Sequence, residues 1–291
     1  MTPPDPGPGE KSSSAYGVRG LTVSYAGQVA LQSATVSVRS GSVVAVVGGD
    51  GAGKTTLLRT VVGQLQSDQG HVEAPGRAEV GYQPAGSGSW ASLTVAQNLD
   101  FVGGIYGLGG RTLAERRAEL LAAAGLTDAS DRLASQLSGG MRRKLGFCMA
   151  IIHRPKLLVL DEPSTGVDPV SRIDLWRLIS QAAASGTAVL MSSTYLDEAE
   201  RAGSLLVLDR GLTVLQGPYA SIRETFPGTV TAHVSGAGVA RRDWSWRRGR
   251  DLHEYWPAGA ATPLDAEVIE PDLEDIVVAS LLVREHAKVV A

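Results

Sequence analysis

The stretch Val43-Val44-Ala45-Val46-Val47-Gly48-Gly49-Asp50-Gly51-Ala52-Gly53-Lys54-Thr55-Thr56 decides the fold. An unbroken apolar run ending on glycine reads as a strand buried on both faces, the habit of a parallel sheet covered by helices. The glycines let the following loop turn its backbone N–H groups inward around an anion. Lys54 to Leu65 then reads as a helix whose N-terminus adds positive potential at the same place. Gly48 to Thr55 satisfies G-x-x-x-x-G-K-[ST] in the strand-then-helix context that this spacing needs to hold a nucleoside triphosphate. Lys54 is placed for the β- and γ-phosphates and the Thr55 hydroxyl for Mg²⁺. Gly48, Gly49, Asp50, Gly51, Ala52, Gly53 and Thr56 complete the expected ATP contacts. Asp50 brings an acid close to the phosphates and is expected to point away from them.

Working outward, Leu157 to Leu160 is a second apolar run, and it ends on Asp161 and Glu162. Asp161 is a candidate for holding Mg²⁺, directly or through water. Glu162 is the candidate general base for a water attacking the γ-phosphate. Ala188 to Met191 and Leu205 to Leu208 read as further buried strands, with a helix at Pro169 to Ser185 between strands. Val18 to Tyr25 and Ala34 to Val38 read as strands ahead of the glycine loop. The pattern is an α/β phosphate-loop NTPase core with a parallel-rich sheet and antiparallel β elements. Residues from about 86 to 152 read as an inserted helical subdomain, with helices at Ala114 to Ala124 and Arg142 to Ile152. Residues 1–14 are Pro-, Gly- and Ser-rich and read as a disordered tail. The ATPase domain is expected over 15–227 and a small α+β C-terminal extension over 228–291. In that extension Thr229 to Val234 alternates like a strand and Pro271 to His286 reads as a helix with acids in its first turn.

Composition excludes several classes. A net charge of −3 argues against a globally basic nucleic-acid binder. A single cysteine, Cys148, excludes an intrachain disulfide and a Cys-rich metal site. No apolar run is long enough to cross a membrane, and the N-terminus lacks the apolar core of a secretory signal. The Arg241 to Arg250 run interleaves arginine with Trp244 and Trp246, a mixture suited to nucleic-acid stacking or to an acidic membrane surface. A solvated strand or hairpin face is the simpler reading, so no nucleic-acid partner is expected.

Between the two acidic and glycine motifs stands Leu137-Ser138-Gly139-Gly140-Met141, a second anion nest at a helix start. With it the chain resembles the ATP-binding subunits of ABC transporters over roughly residues 17–217. A phosphate-loop kinase or GTPase does not explain this segment. The resemblance implies that Ser138, Gly139 and Gly140 close on the γ-phosphate of ATP held by a partner subunit, in a head-to-tail homodimer or heterodimer. It implies that Tyr25 stacks on adenine and that Ser164 to Pro169 links the two sites. Met141-Arg142-Arg143-Lys144 and Pro271 to Ile276 look like exporters of drugs, lipids or other apolar compounds. The partner would then be a separately encoded transmembrane permease subunit, with this chain on the cytoplasmic face of the membrane.

Two positions depart from that pattern. The family's glutamine for Mg²⁺ and the attacking water falls on Ala85, leaving Gln83 as the substitute candidate for the metal. The family's histidine for the γ-phosphate falls on Thr194, and His71, His153, His233, His253 and His286 all lie elsewhere. The expectation is an ATPase that drives export by nucleotide-dependent dimer closure. The alternative is a nucleotide-gated dimerisation subunit whose own site hydrolyses slowly.

Overall fold

The computed structural model describes residues 15–234, 243–263 and 266–290. The tail 1–14 and Arg241 and Arg242 lie outside them. The chain opens with β1 (Ala15–Tyr25) and β2 (Gln28–Arg39), an antiparallel hairpin. β3 (Val43–Val47) enters the glycine loop and α1 (Lys54–Val61) leaves it. β4 (Gln69–Glu73) returns to pair with β1, and β5 (Val80–Gln83) follows. Three helices come next: α2 (Val95–Ile105), α3 (Gly110–Ala124) and α4 (Gly139–Ile151). Strands and helices then alternate through β6 (Leu157–Leu160), α5 (Pro169–Ala184), β7 (Ala188–Ser193), α6 (Leu196–Arg201) and β8 (Ser204–Asp209). β9 (Leu212–Gly217) and α7 (Tyr219–Glu224) close this part. β10 (Gly228–Val234), β11 (Ser245–Arg248), β12 (Asp251–Pro257), β13 (Glu267–Ile269) and α8 (Leu273–Val290) end the chain.

The central sheet has the order β5-β6-β7-β3-β8-β9, parallel except for β9 at the edge. Its central strands β3 and β6 are apolar throughout because both faces are covered. Alternate residues sort cleanly between the faces. Ala45, Val47, Leu158, Leu160, Val189 and Met191 pack with α4 and α5. Val44, Val46, Leu157, Val159 and Leu190 pack with Leu57 and Leu58 of α1 and with the β1–β2 hairpin. That hairpin and β4 form a three-stranded sheet, β2-β1-β4.

α1 ends at Val61, short of the expected Leu65. Gly63 takes a left-handed φ of 73°. Its N–H bonds Thr60 O at 3.0 Å, while Gln64 N–H bonds Arg59 O at 2.8 Å. That double closure stops the helix.

The C-terminal sheet, β11-β12-β10-β13, carries α8 on one face. Here the solvated-face reading of the Arg/Trp run needs correction. Trp246 is buried, Trp244 stacks on His286 with centroids 4.6 Å apart, and both join the core between sheet and helix. Arg248 is held by Asp272, by Glu274 at 3.3 Å and by Asp275 at 3.5 Å, all in the segment that starts α8. Leu273, Ile276 and Val277 of α8 in turn join the main core beside α6 and α7.

Cys148 sits on α4 with no exposure, and burial pushes its thiol pKa up to about 12. A thiol that stays protonated and covered is inert. The native chain is therefore expected to resist a disulfide reagent at about pH 8 and to be labelled only as it unfolds. Rapid labelling without denaturant would show that α4 is not seated on the sheet as described.

Candidate nucleotide site

The parallel strands β3, β5, β6 and β7 all deliver their C-terminal ends to one edge of the sheet, where α/β folds place ligands. The glycine loop leaves β3. Gly48 and Gly53 adopt φ of 156° and 105°. A Cβ at Gly48 would lie 2.3 Å from Leu208 O, and one at Gly53 2.8 Å from Ala30 O, so the loop closes only with glycine at both. α1 then starts with no side-chain cap and no acid in its first turn. Its first N–H groups are left free for an anion. The loop encloses a hollow of about 340 Å³ lined by Asp50 through Thr56, Ala30 and Glu162. Asp50 is exposed but lines this hollow, so it is not turned wholly away from it.

Lys54 is buried at 4% exposure. Its ammonium donates to Gly48 O at 2.8 Å and Gly49 O at 3.1 Å and lies 3.3 Å from Glu162 Oε1. A phosphate entering the hollow offers that cation a stronger, charge-assisted partner than two neutral carbonyls.

Asp161 has no exposure. Its Oδ1 accepts from Thr55 Oγ1 at 3.1 Å and from Ser192 Oγ at 2.7 Å, while Oδ2 is buried without a partner. A buried carboxylate oxygen left unpaired costs about 1–3 kcal/mol. A hydroxyl, a carboxylate with one open oxygen and an adjoining phosphate hollow form an oxygen donor set that suits Mg²⁺. Glu162 follows with φ of 48°, a left-handed backbone, and its N–H bonds Ser192 Oγ at 2.9 Å. Its side chain lies between Lys54 and Thr165, whose hydroxyl donates to Oε2 at 3.1 Å. A non-glycine residue in this conformation costs about 1–2 kcal/mol, so the surroundings hold the carboxylate where it is.

The Gln83 side chain makes no hydrogen bond to these groups, and its Oε1 is buried without a partner. It is fully buried, and its Nε2 donates to Arg143 O at 3.2 Å. Strand alternation is the cause: Tyr82 faces the α1 side, so Gln83 faces α4. Ala85 lies exposed beyond the strand end, and Thr194 is exposed beyond β7. Tyr25 is 44% exposed at the end of β1. Ser138 caps α4 by accepting from Met141 N–H at 3.2 Å, and Ser138 and Gly139 are exposed. Gly140 has a packing reason as well, since a Cβ there would lie 2.6 Å from Ser171 Oγ.

Further residues brace the site. Ser192 ties Asp161 to Glu162. Glu198, fully buried, accepts from Ser164 Oγ at 2.8 Å and Ser193 Oγ at 2.6 Å. Arg172 lies 3.5 Å from Glu198 Oε1 and 4.3 Å over the Tyr195 ring. Together they join the loop after Glu162 to the residue preceding Thr194. Ser164 begins the Ser164–Pro169 segment that the resemblance singles out, while Ser192 and Arg172 carried no signal in the sequence. His153 and His253 are engaged elsewhere, with Val80 O and Asp275 respectively.

The ABC transporter family model matches residues 31–165. The chain is 37% identical over 202 residues to the probable multidrug ABC transporter ATP-binding protein YbhF of Escherichia coli K12, covering 66% of this chain and 35% of that one. The chain thus spans about a third of YbhF. It is 36% identical over 223 residues to the Nod factor export ATP-binding protein I of Ralstonia nicotianae, covering 73% of this chain and 70% of that one. A solved ATP-binding subunit of an ABC transporter superposes with a TM-score of 0.67 at 27% identity, covering 74% of this chain and 93% of that one.

Removing the buried cation tests the hollow directly. Lys54→Ala is expected to weaken ATP binding by about tenfold or more, the worth of a hydrogen bond to a charged group. Titration calorimetry that finds the same affinity in both proteins would place the nucleotide elsewhere.

Proposed function

The chain belongs to the ATP-binding proteins of ABC transporters, and from that premise we propose that it binds and hydrolyses Mg·ATP to drive export through a separate membrane subunit. The carrying observation is Asp161: a buried carboxylate with one open oxygen, beside the Thr55 hydroxyl and the hollow that holds Lys54. The loop amides and Lys54 bind and orient the triphosphate. Thr55 and Asp161 would hold a magnesium ion, which when bound would neutralise charge on the phosphate oxygens. Glu162, positioned by Lys54 and Thr165, takes the proton from the attacking water.

The exposed turn at Ser138 and Gly139 offers a second set of amides to ATP held by a second ATPase subunit, so nucleotide binding closes a head-to-tail dimer. Among the described residues no helix is long and apolar enough to cross a membrane. In this reading the membrane partner is a separate chain and this one works at the cytoplasmic face. Trp90, Phe101 and Ile105, exposed at 42%, 48% and 65%, offer an apolar strip on the helical insertion for that contact. Trp90 and Phe101 pack edge to face with centroids 4.7 Å apart. Export as the direction follows the Nod factor export ATP-binding protein to which the chain is similar.

Glu162→Gln keeps shape and removes the base. In the presence of ATP it is expected to accumulate the closed dimer, because closure needs binding and reopening needs hydrolysis. Sedimentation with and without ATP, including the membrane subunit, is the measurement; a variant that stays monomeric under both conditions counts against the head-to-tail model.

A second reading concerns rate. Ala85 presents a methyl group, the Gln83 amide nitrogen is bonded to Arg143 O of α4, and Thr194 is short and uncharged. The site built on this chain's phosphate loop is therefore proposed to bind well and hydrolyse slowly, since a preorganised donor to developing charge is worth about 10²–10³ in rate. Thr194→His with Ala85→Gln is expected to raise turnover with ATP affinity little changed. Wild-type turnover of about 1 per second or faster, within the usual enzyme range and unimproved by the pair, would defeat this reading.

A further inference from the structure

α4 grips the end of β5 at three points. Gln83 Nε2 donates to Arg143 O at 3.2 Å. Ser87 O approaches Gly146 so closely that a Cβ there would lie 2.3 Å from it. Arg143 itself donates through Nη1 to Ala85 O. The second arm of the same guanidinium, Nη2, donates to Thr165 O at 3.3 Å. Thr165 is the residue whose hydroxyl bonds Glu162. One planar fork thus spans two loops, which leave the paired strands β5 and β6.

We propose that Arg143 is a positioning residue for hydrolysis: it pins the Ala85 loop and the Thr165 loop to α4, holding through backbone carbonyls the part of the site where Ala85 offers no polar side chain. This rests on the ATPase reading above. Burial lowers the Arg143 pKa, and Glu162 and Asp161 oppose that shift, so its charge lies within electrostatic reach of both acids. An arginine remains protonated under such a shift and presents its donors in a rigid fork. A lysine supplies one compact ammonium on a flexible stem, so it holds the two carbonyls less firmly. Because α4 begins at the Ser138 turn, the same side chain links the surface offered to a second subunit with the loop that steadies Glu162.

Amide hydrogen exchange on the nucleotide-free chain tests the pin without relying on activity. Arg143→Ala is expected to speed exchange at residues 85–89 and 164–167 by about tenfold or more, with α1 and β3 unchanged and partial recovery in Arg143→Lys. Turnover with the membrane subunit is read in parallel. In Arg143→Ala kcat is expected to fall about tenfold to a hundredfold, the scale of a small misplacement, while KM for ATP stays within about twofold. Adding Ala85→Gln to Arg143→Ala is expected to restore part of kcat. The gain should exceed what Ala85→Gln brings to the wild type, because the amide then replaces the lost tether. Unchanged exchange in both loops overturns the proposal. So does exchange rising uniformly along the chain, or a wild-type kcat despite loosened loops. A wild-type chain that binds no ATP defeats the functional reading whatever the loops do, which separates the two failures.

Discussion

The buried Asp161 carboxylate is the constraint on which the site depends. A charge with no exposure must be met by donors or it destabilises the fold. Here the donors come from two different elements, Thr55 on α1 and Ser192 on β7. One oxygen therefore fixes how the phosphate helix and two neighbouring strands sit relative to one another. Ser192 also accepts the Glu162 N–H, which extends the same constraint to the left-handed backbone of the candidate base. The second oxygen is left open and the next residue is strained. Both costs fall at the point where a cation and a phosphate are proposed to arrive, which is where stored strain has a use.

The helical insertion meets the core through the buried side chains of α4 and, at three glycines, through close approach. Gly81 would bring a Cβ to 2.1 Å from Ala150 O, Gly146 to 2.3 Å from Ser87 O, and Gly140 to 2.6 Å from Ser171 Oγ. Three glycines thus let α4 lie against β5, its following loop and the start of α5. Contacts this close transmit small displacements, since a packed interface has little room to absorb them. In the proposed reading, a force applied to the insertion would reach the loop after β5 through the Gly146 contact with Ser87.

What could be read in the sequence was what physics writes locally. Fully apolar runs at Val43–Val47 and Leu157–Leu160 announced buried strands because both faces are covered. The glycine spacing announced the loop because φ and close approach forbid other residues there. β4 and β9 were not legible, since Gln69–Glu73 and Leu212–Gly217 mix polar and apolar residues without the unbroken apolar run of a buried strand. The direction of Gln83 was a question of strand parity against α4, which no single-strand pattern contains. The aromatics of the Arg/Trp run looked solvated because their neighbours are arginines. Their burial depends on α8, which lies far along the chain and packs over the same sheet. The contacts of Arg143 and Ser192 were not legible for a related reason: each side chain spans elements distant in sequence.

The two departures at Ala85 and Thr194 sit on supports that are intact. Beneath Thr194 the Ser193–Glu198–Ser164 hydrogen bonds and the Arg172–Tyr195 contact remain complete. Behind Ala85 the grip of α4 remains complete. In the proposed reading the chain has lost two polar tips that face the reacting phosphate while keeping the frame that carried them. Binding draws on Lys54, the loop amides, Thr55 and Asp161, none of which is altered. Hydrolysis draws in addition on a water held in line, and that is the element for which the tips are missing. A frame maintained under such a loss is coherent if closure on ATP is the step the chain must perform well and hydrolysis is a step it can perform slowly or share with a second subunit.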